Sequence, residues 1–279
     1  MTTVDILVLA AGKGTRMRSP LPKVLHALAG RSMLEHVLAA ARSLTPQSIT
    51  AVVSDDFNTF AALAADVKPV VQRERLGTGH AVRVACDAAA PKADAVLVLY
   101  GDTPLLTAAS MRALLGAIAG GADVAVLGFT PVDAGAYGRL VVDASGTLTR
   151  IVEYNDANAD ERAIRLCNAG IMAFRRERLL KLLPALTNTN SKGEYYLTDL
   201  VGLATAQGGR CAAVTAADEN DVLGVNSRAE LAVAEGILQG RLRANLLEKG
   251  VTLPLPETVY LSADLDCAAD VIIEPFVYI

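Results

Sequence analysis

Uninterrupted apolar runs alternate with segments of helical spacing through the first hundred residues. DILVLA at 5–10, ITAVVS at 49–54, VKPVVQ at 67–72 and AVLVLYGD at 95–102 read as strands, the first and last as continuous buried runs. Between them, MLEHVLAAARSL at 33–44 places Leu34, Val37, Leu38 and Ala41 on one helical face. Helices are also expected over 59–65, over 77–89 behind a glycine turn, and over 107–119. Such alternation predicts an α/β fold: a Rossmann-like, doubly wound sheet with right-handed crossovers and its ligand site at the carboxyl ends of the strands.

The pattern then changes. DVAVLGFTP, GRLVVDASGTLTRIVE and NAGIMAFR are strand-rich, with a hairpin turn at 143–146. They suggest an α+β insertion beside the first half, forming the second wall of a cleft. Helix is expected again over 195–208 and, as one long element, over 227–250. Ser227 would cap that helix in a capping box with Glu230, and Gly250 would end it. Beyond it Val259, Leu265, Val271 and Val277 recur every sixth residue, interleaved with Leu261, Cys267, Ile273 and Ile279. Two such series predict the first coils of a parallel β-helix, whose faces need stacked neighbours. The expected division is therefore 1–226, a linker helix over 227–250, and the start of a repeat over 251–279 that the chain carries only in truncated form.

Composition narrows the function classes. The 279 residues carry a formal net charge of −4 and no basic stripe, and Trp is absent, so no nucleic-acid partner is expected. Charges interrupt every apolar run before membrane-spanning length, and MTTVDILVLAAG lacks a basic leader region. No membrane partner is expected and a cytoplasmic location is. Cys86, Cys167, Cys211 and Cys267 lack zinc or disulfide spacing, and His26, His36 and His80 are scattered, so reduced thiols are the better reading.

The candidate chemistry sits directly behind the first strand, in LAAGKGTRMRSPLPK at 9–23. A dinucleotide fingerprint fails because Met17 stands where the third glycine belongs, and no Walker A sequence occurs. Small residues at Ala10, Ala11 and Gly12 would let a base or ribose approach the backbone. Arg16 offers phosphate a bidentate fork and Lys23, stiffened by Pro20 and Pro22, a point charge. An ordinary loop with solvated cations accounts for these residues equally well.

The stretch resembles the L-A-A-G-x-G-T-R-M…P-K signature of sugar-1-phosphate nucleotidyltransferases. QRERLGTGHA at 72–81, LYGDTPL at 99–105, AYGRLV at 136–141, IVEYNDA at 151–157, NAGIMAF at 168–174, GEYYLTD at 193–199 and GVNSR at 224–228 follow in order. Together they resemble the N-terminal uridyltransferase half of the bacterial bifunctional N-acetylglucosamine-1-phosphate uridyltransferase/glucosamine-1-phosphate acetyltransferases, over essentially the whole chain. The resemblance implies a mixed, GT-A-like sheet, and a left-handed hand for the β-helix. It implies that Leu9, Ala10, Ala11, Gly12, Gln72, Gly77 and Thr78 hold uridine, with Tyr100 and Gly101 beside them. It implies Asp102 and Asn226 as Mg²⁺ ligands, and Gly138, Glu153 and Asn168 as the sugar pocket. Arg16, Lys23 and Asp102 become the candidate catalytic residues. Read without the resemblance, Asp102 serves as well as a turn cap, Asn226 as a helix cap, Gln72 as a strand-end polar residue, and the pocket trio as strand-edge residues. Asn155 and Ala169 depart from the family's commoner lysine and threonine.

The implied reaction converts UTP and N-acetylglucosamine 1-phosphate to UDP-N-acetylglucosamine and pyrophosphate, for peptidoglycan and lipopolysaccharide precursors. Its nucleophile is an already ionised phosphate oxygen, which suits a chain without a nucleophile–base arrangement. Another sugar phosphate or base is the near alternative; a catalytically silent nucleotide-sugar-binding protein is the distant one. Full-length relatives trimerise through the β-helix, so this chain is expected to lack acetyltransferase activity and to be monomeric.

Overall fold

The computed structural model describes residues 2–55 and 64–279. In chain order, β1 (Val4–Leu9) precedes a small hairpin, β2 (Ala27–Leu28) and β3 (Arg31–Ser32), then α1 (Met33–Arg42), β4 (Ser48–Val53) and β5 (Val67–Val71). Next come α2 (Thr78–Ala88), β6 (Ala95–Tyr100), α3 (Ala108–Ala119), β7 (Val124–Phe129), β8 (Arg139–Val142) and β9 (Leu148–Val152). The remainder is α4 (Ala159–Ala163), β10 (Cys167–Arg175), α5 (Arg176–Leu182), α6 (Asp199–Ala206), β11 (Cys211–Thr215) and α7 (Arg228–Glu248).

The main sheet runs β11-β7-β10-β6-β1-β4-β5. β1 is buried at every position and parallel to both neighbours, β4 and β6. Alternate residues of β1 feed two separate cores. Ile6 and Val8 meet Leu34, Val37 and Leu38 of α1 and Met111 and Leu114 of α3. Leu7 and Leu9 meet Ala81 and Val82 of α2, Leu179 and Leu182 of α5, and Leu200 and Val201 of α6. Helices on both faces make the sheet doubly wound, as the continuous apolar strands require. Each fully buried side chain, such as Leu34 or Val82, contributes roughly 1.5–3 kcal/mol.

The strand-rich middle is not a separate insertion beside this sheet. β10 enters the sheet antiparallel between β6 and β7, and β11 adds parallel to β7 at the edge. β7 is buried throughout, and such a strand needs cover on both faces, which only the main sheet supplies. Within this sheet, β8 and β9 stand off the main strand order, while β2 and β3 form a separate two-stranded sheet. The β8–β9 turn is closed by Asp143, whose side chain accepts the Ser145 and Thr147 N–H groups at 2.8 and 3.0 Å.

The helix expected over 195–208 begins only at Asp199. The reason is a competing partner. Tyr195 donates its N–H to Leu76 O and accepts from Gly79 N–H, at 2.7 and 2.8 Å. These bonds hold the GEYY segment against the start of α2. The helix expected over 59–65 falls largely outside the described residues.

α7 begins as expected: the Ser227 hydroxyl accepts the Glu230 N–H at 3.2 Å, and the Glu230 carboxylate accepts the Ser227 N–H at 2.9 Å. Gln239, only 3% exposed, then clamps Leu261, donating to its carbonyl at 2.7 Å and accepting its N–H at 2.8 Å. Parallel bridges pair Thr252 with Ile272 and Tyr260 with Tyr278, so successive coils stack. Val259, Leu261 and Ile273 are buried between them, while Val271 and Ile279 of the same series are exposed.

Candidate functional site

The site begins where β1 runs out. Ala10 still donates to Val52 O at 2.7 Å, and the ladder ends there. Gly14 follows with φ +58°, and a Cβ on it would lie 2.6 Å from the Lys23 Cβ. Glycine is needed there both for the left-handed backbone and for the space Lys23 occupies. Met17, 1% exposed, anchors the single turn Thr15–Met17 in the core and leaves Arg16 on the outside. Pro22 opens the next turn, Lys23–Leu25, which carries the Lys23 side chain inward.

Lys23 is 9% exposed, an unusual burial for an ammonium, and two oxygens compensate it. Its Nζ forms an ion pair with Asp102 Oδ2 and donates to Asn226 Oδ1 at 2.7 Å. Three segments distant in sequence thus meet at one positive charge. β6 brings Asp102 to the carboxyl edge of the sheet, next to β1. Val225 N–H donates to the Asp102 carbonyl at 2.8 Å, which locks the start of the linker beside that strand end. Asn226 N–H donates to Glu230 at 2.6 Å, so the capping of α7 also orients Asn226.

Beside this trio lies an open cleft of about 380 Å³. Of the residues expected to hold nucleotide, Leu9, Ala10, Ala11, Gly12, Gln72, Gly77, Thr78, Tyr100, Lys23 and Asp102 all line it. Gly101 lies just beneath, where a Cβ would meet Val24, Ala10 and Leu34 at 3.2–3.3 Å. Thr78 accepts the Leu197 N–H at 3.1 Å and hydrogen-bonds the Tyr100 hydroxyl, whose desolvation pushes its pKa well above the usual phenol range. Arg16 does not line the cleft, and its side chain makes no hydrogen bond or ion pair with the described residues. Lys13, Arg75 and Glu194 line it without having been assigned a place there. Arg75 lies inside the QRERLGTGH stretch and was legible in principle. Glu194 depends on the Tyr195 backbone bonds to Leu76 and Gly79, which no local pattern announces.

Gly77 carries the tightest constraint of this wall. Its φ is +104°, and a Cβ would lie 2.6 Å from the Tyr195 carbonyl oxygen. Gly77→Ala should therefore destabilise the protein by about 2 kcal/mol or more. The melting temperature should fall by roughly 5 °C for a chain of this size. An unchanged melting temperature by calorimetry would show that the wall relaxes freely.

Gly138, Glu153 and Asn168 form a second group. Asn168 N–H donates to Gly138 O at 2.8 Å, and a Cβ on Gly138 would stand 3.5 Å from Glu153 Oε2 and 3.6 Å from Asn168 Cβ. β10 bulges between Asn168 and Met172, where Gly170 turns to φ +84° with its missing Cβ 3.1 Å from the Tyr100 ring. The bulge thus joins this group to the cleft through Tyr100. Asn155 lines a smaller cavity of about 180 Å³ together with Glu153, Lys192 and Tyr196. Ala169 packs against the core instead.

Burial raises the Glu153 pKa, against opposing help from Lys192 and from the Thr198 hydroxyl at 3.4 Å. A carboxyl raised on folding favours the fold when protonated and weakens it as pH rises through the raised value. Glu153→Gln should leave stability unchanged below about pH 4 and increase it progressively toward pH 8. Denaturant titrations at the two pH values check this; a loss at pH 8 would mean the carboxylate is stabilised where it sits.

The sequence profile of the MobA-like NTP transferase domain matches residues 6–194, which spans both walls of the cleft. The chain belongs to that family. Nearly the whole chain also aligns with curated bacterial relatives called "Bifunctional protein GlmU". The one from Bradyrhizobium sp. (strain ORS 278) is 52% identical over 277 residues, covering 98% of this chain and 61% of the relative. That from Rhodospirillum rubrum is 50% identical over 273 residues, 97% and 61% of the two chains. That from Hyphomonas neptunium is 47% identical over 273 residues, 96% and 59%. The chain thus spans about three fifths of the length of these relatives. No helix among the described residues is long and apolar enough to cross a membrane.

Proposed function

We propose that the chain transfers UMP from UTP to N-acetylglucosamine 1-phosphate, forming UDP-N-acetylglucosamine and releasing pyrophosphate. The observation that carries this is the convergence of Asp102, Asn226 and Lys23 at the mouth of a cleft floored by small residues. It is an arrangement for managing phosphate charge. Among the described residues, no Ser, Cys or His lines the cleft. The likeness of the motifs to the uridyltransferase half of the bifunctional enzymes supplies the nucleotide and the sugar, and with them a cytoplasmic place in cell-wall precursor synthesis. The division into a 1–226 catalytic unit, linker helix and repeat is part of the same reading.

In this reading the backbone at Ala10, Ala11 and Gly12 admits the nucleoside, where a Cβ on Gly12 would meet nothing within 4 Å. Lys23 holds phosphate oxygens through the in-line displacement. Arg16, exposed on the Thr15–Met17 turn, folds over the departing pyrophosphate. Glu153, Asn168 and Gly138 face the sugar. The acceptor phosphate is already ionised, so positioning and charge neutralisation carry the chemistry and no side chain needs to remove a proton.

The residues present fit Mg²⁺. Asp102 and Asn226 offer hard oxygens that already face one common cation, the Lys23 ammonium. Two protein ligands, completed by phosphate and water, suit this ion's reluctance to dehydrate. When bound, Mg²⁺ would neutralise charge on the reacting phosphates. A panel of nucleoside triphosphates against hexose, hexosamine and N-acetylhexosamine 1-phosphates tests the substrate assignment. Preference for UTP with N-acetylglucosamine 1-phosphate is expected. Equal or better use of another pair would replace it, and binding without turnover would make the chain a nucleotide-sugar receptor.

A further inference from the structure

The strand-end carboxamide of Gln72 is held in one orientation by the protein. Gln72 is 4% exposed and lines the cleft. Its Nε2 lies 3.2 Å from Gly77 O and 3.0 Å from His80 Nδ1. A carboxamide nitrogen has two hydrogens, and a carbonyl oxygen can only accept. The Gly77 contact therefore identifies the nitrogen, and the second hydrogen goes to His80 Nδ1. Neutral His80 must then carry its own proton on Nε2. Both Gln72 donors are committed to the protein, and Oε1 has no hydrogen-bond partner among the described residues.

We infer that His80 is a positioning residue for base selection: by accepting from Gln72 Nε2 it presents Gln72 Oε1, an acceptor only, to the base in the cleft. The class of base this favours is a pyrimidine with an N–H at ring position 3, such as uracil. Cytosine places a lone pair there and would oppose Oε1 with like charge. A flipped carboxamide would reverse the preference, and His80 Nδ1 together with Gly77 O prevents the flip. The inference deepens the proposed uridine-nucleotide reading and rests on it. His80 needs no contact with substrate; it sits in the first turn of α2, its ring centroid 6.3 Å from that of Tyr195.

The test compares UTP and CTP dissociation constants by calorimetry for the wild type, His80→Leu and His80→Asn, without sugar phosphate. Leucine removes the acceptor, and the UTP-over-CTP ratio should fall about five- to tenfold, the value of one neutral hydrogen bond. Asparagine restores an acceptor near the Nδ1 position and should recover most of the ratio. A uniform weakening of both nucleotides in both variants would mean a merely structural histidine and would overturn the inference. The His80 tautomer, read from ¹⁵N shifts in the wild type at a pH where the ring is neutral, needs no variant to fold. Protonation at Nε2 is expected, and protonation at Nδ1 would overturn the inference. A wild type that binds UTP selectively with a ratio unmoved by His80→Leu defeats this inference alone. A wild type that binds neither nucleotide defeats the uridine reading as well.

Discussion

Asp102→Asn should lower the rate of pyrophosphate formation by about 10²–10³-fold, the order seen when one electrostatic partner of a transition state is lost. The substitution keeps the shape and an oxygen, but removes the negative charge that faces Lys23. It also turns a carboxamide toward an ammonium that now lacks its counter-charge. The fold should survive, because the Asp102 carbonyl that accepts from Val225 is untouched. Raising Mg²⁺ should restore only part of the rate, since a neutral oxygen is a weaker partner for a hard cation. Steady-state kinetics across a Mg²⁺ series, with melting curves alongside, separate these effects. Unaltered kinetics at ordinary Mg²⁺ would remove Asp102 from the cation site.

Lys23→Met should have a comparable effect on rate, about 10²-fold or more, and an opposite effect on metal binding. Without nucleotide, the ammonium would compete with a divalent ion at the proposed Asp102 and Asn226 site, because it already contacts both oxygens. Methionine fills the stem volume and leaves both oxygens facing each other without a cation. Manganese should then bind the free protein more tightly than it binds wild type, a change visible in electron paramagnetic resonance titrations without any turnover. The stability cost should be modest, about 1–2 kcal/mol, because the Asp102 side chain keeps 21% exposure at an open cleft and water can replace part of the ammonium. Added manganese should return that stability. Tighter manganese binding by wild type than by the variant would mean that the two oxygens are held together by Lys23 rather than blocked by it.

The sequence was most informative where structure is decided locally. The Ser227–Glu230 capping box is a three-residue relation, and it formed as written. The strands β1 and β6 announced themselves as apolar runs, and their parallel pairing follows from burial on both faces. That pairing places the Leu9–Gly12 loop and Asp102 at the same sheet edge, so the heart of the cleft was legible from strand ends alone. What the pattern could not show depends on partners distant in the chain. β10 reads like any apolar strand, yet its direction is reversed between β6 and β7. The bulge between Asn168 and Met172 has no local signal beyond Gly170. The YYLTD segment has helical composition, but its first residues are claimed by Leu76, Gly79 and Thr78 before a helix can form. For the same reason Glu194 reaches the cleft unannounced. Arg16 shows the converse: the loop that carries it stands out in the sequence, but its exposed side chain lies outside the cleft lining.

The most direct measurement is pyrophosphate release by the purified chain given UTP, N-acetylglucosamine 1-phosphate and Mg²⁺, with the nucleotide product identified by mass. Stoichiometric pyrophosphate and UDP-N-acetylglucosamine, both abolished by leaving out the sugar phosphate or chelating the metal, are the expected result. No pyrophosphate from a folded protein that binds UTP, or release that ignores the sugar phosphate, would contradict the assignment of this cleft to uridyl transfer.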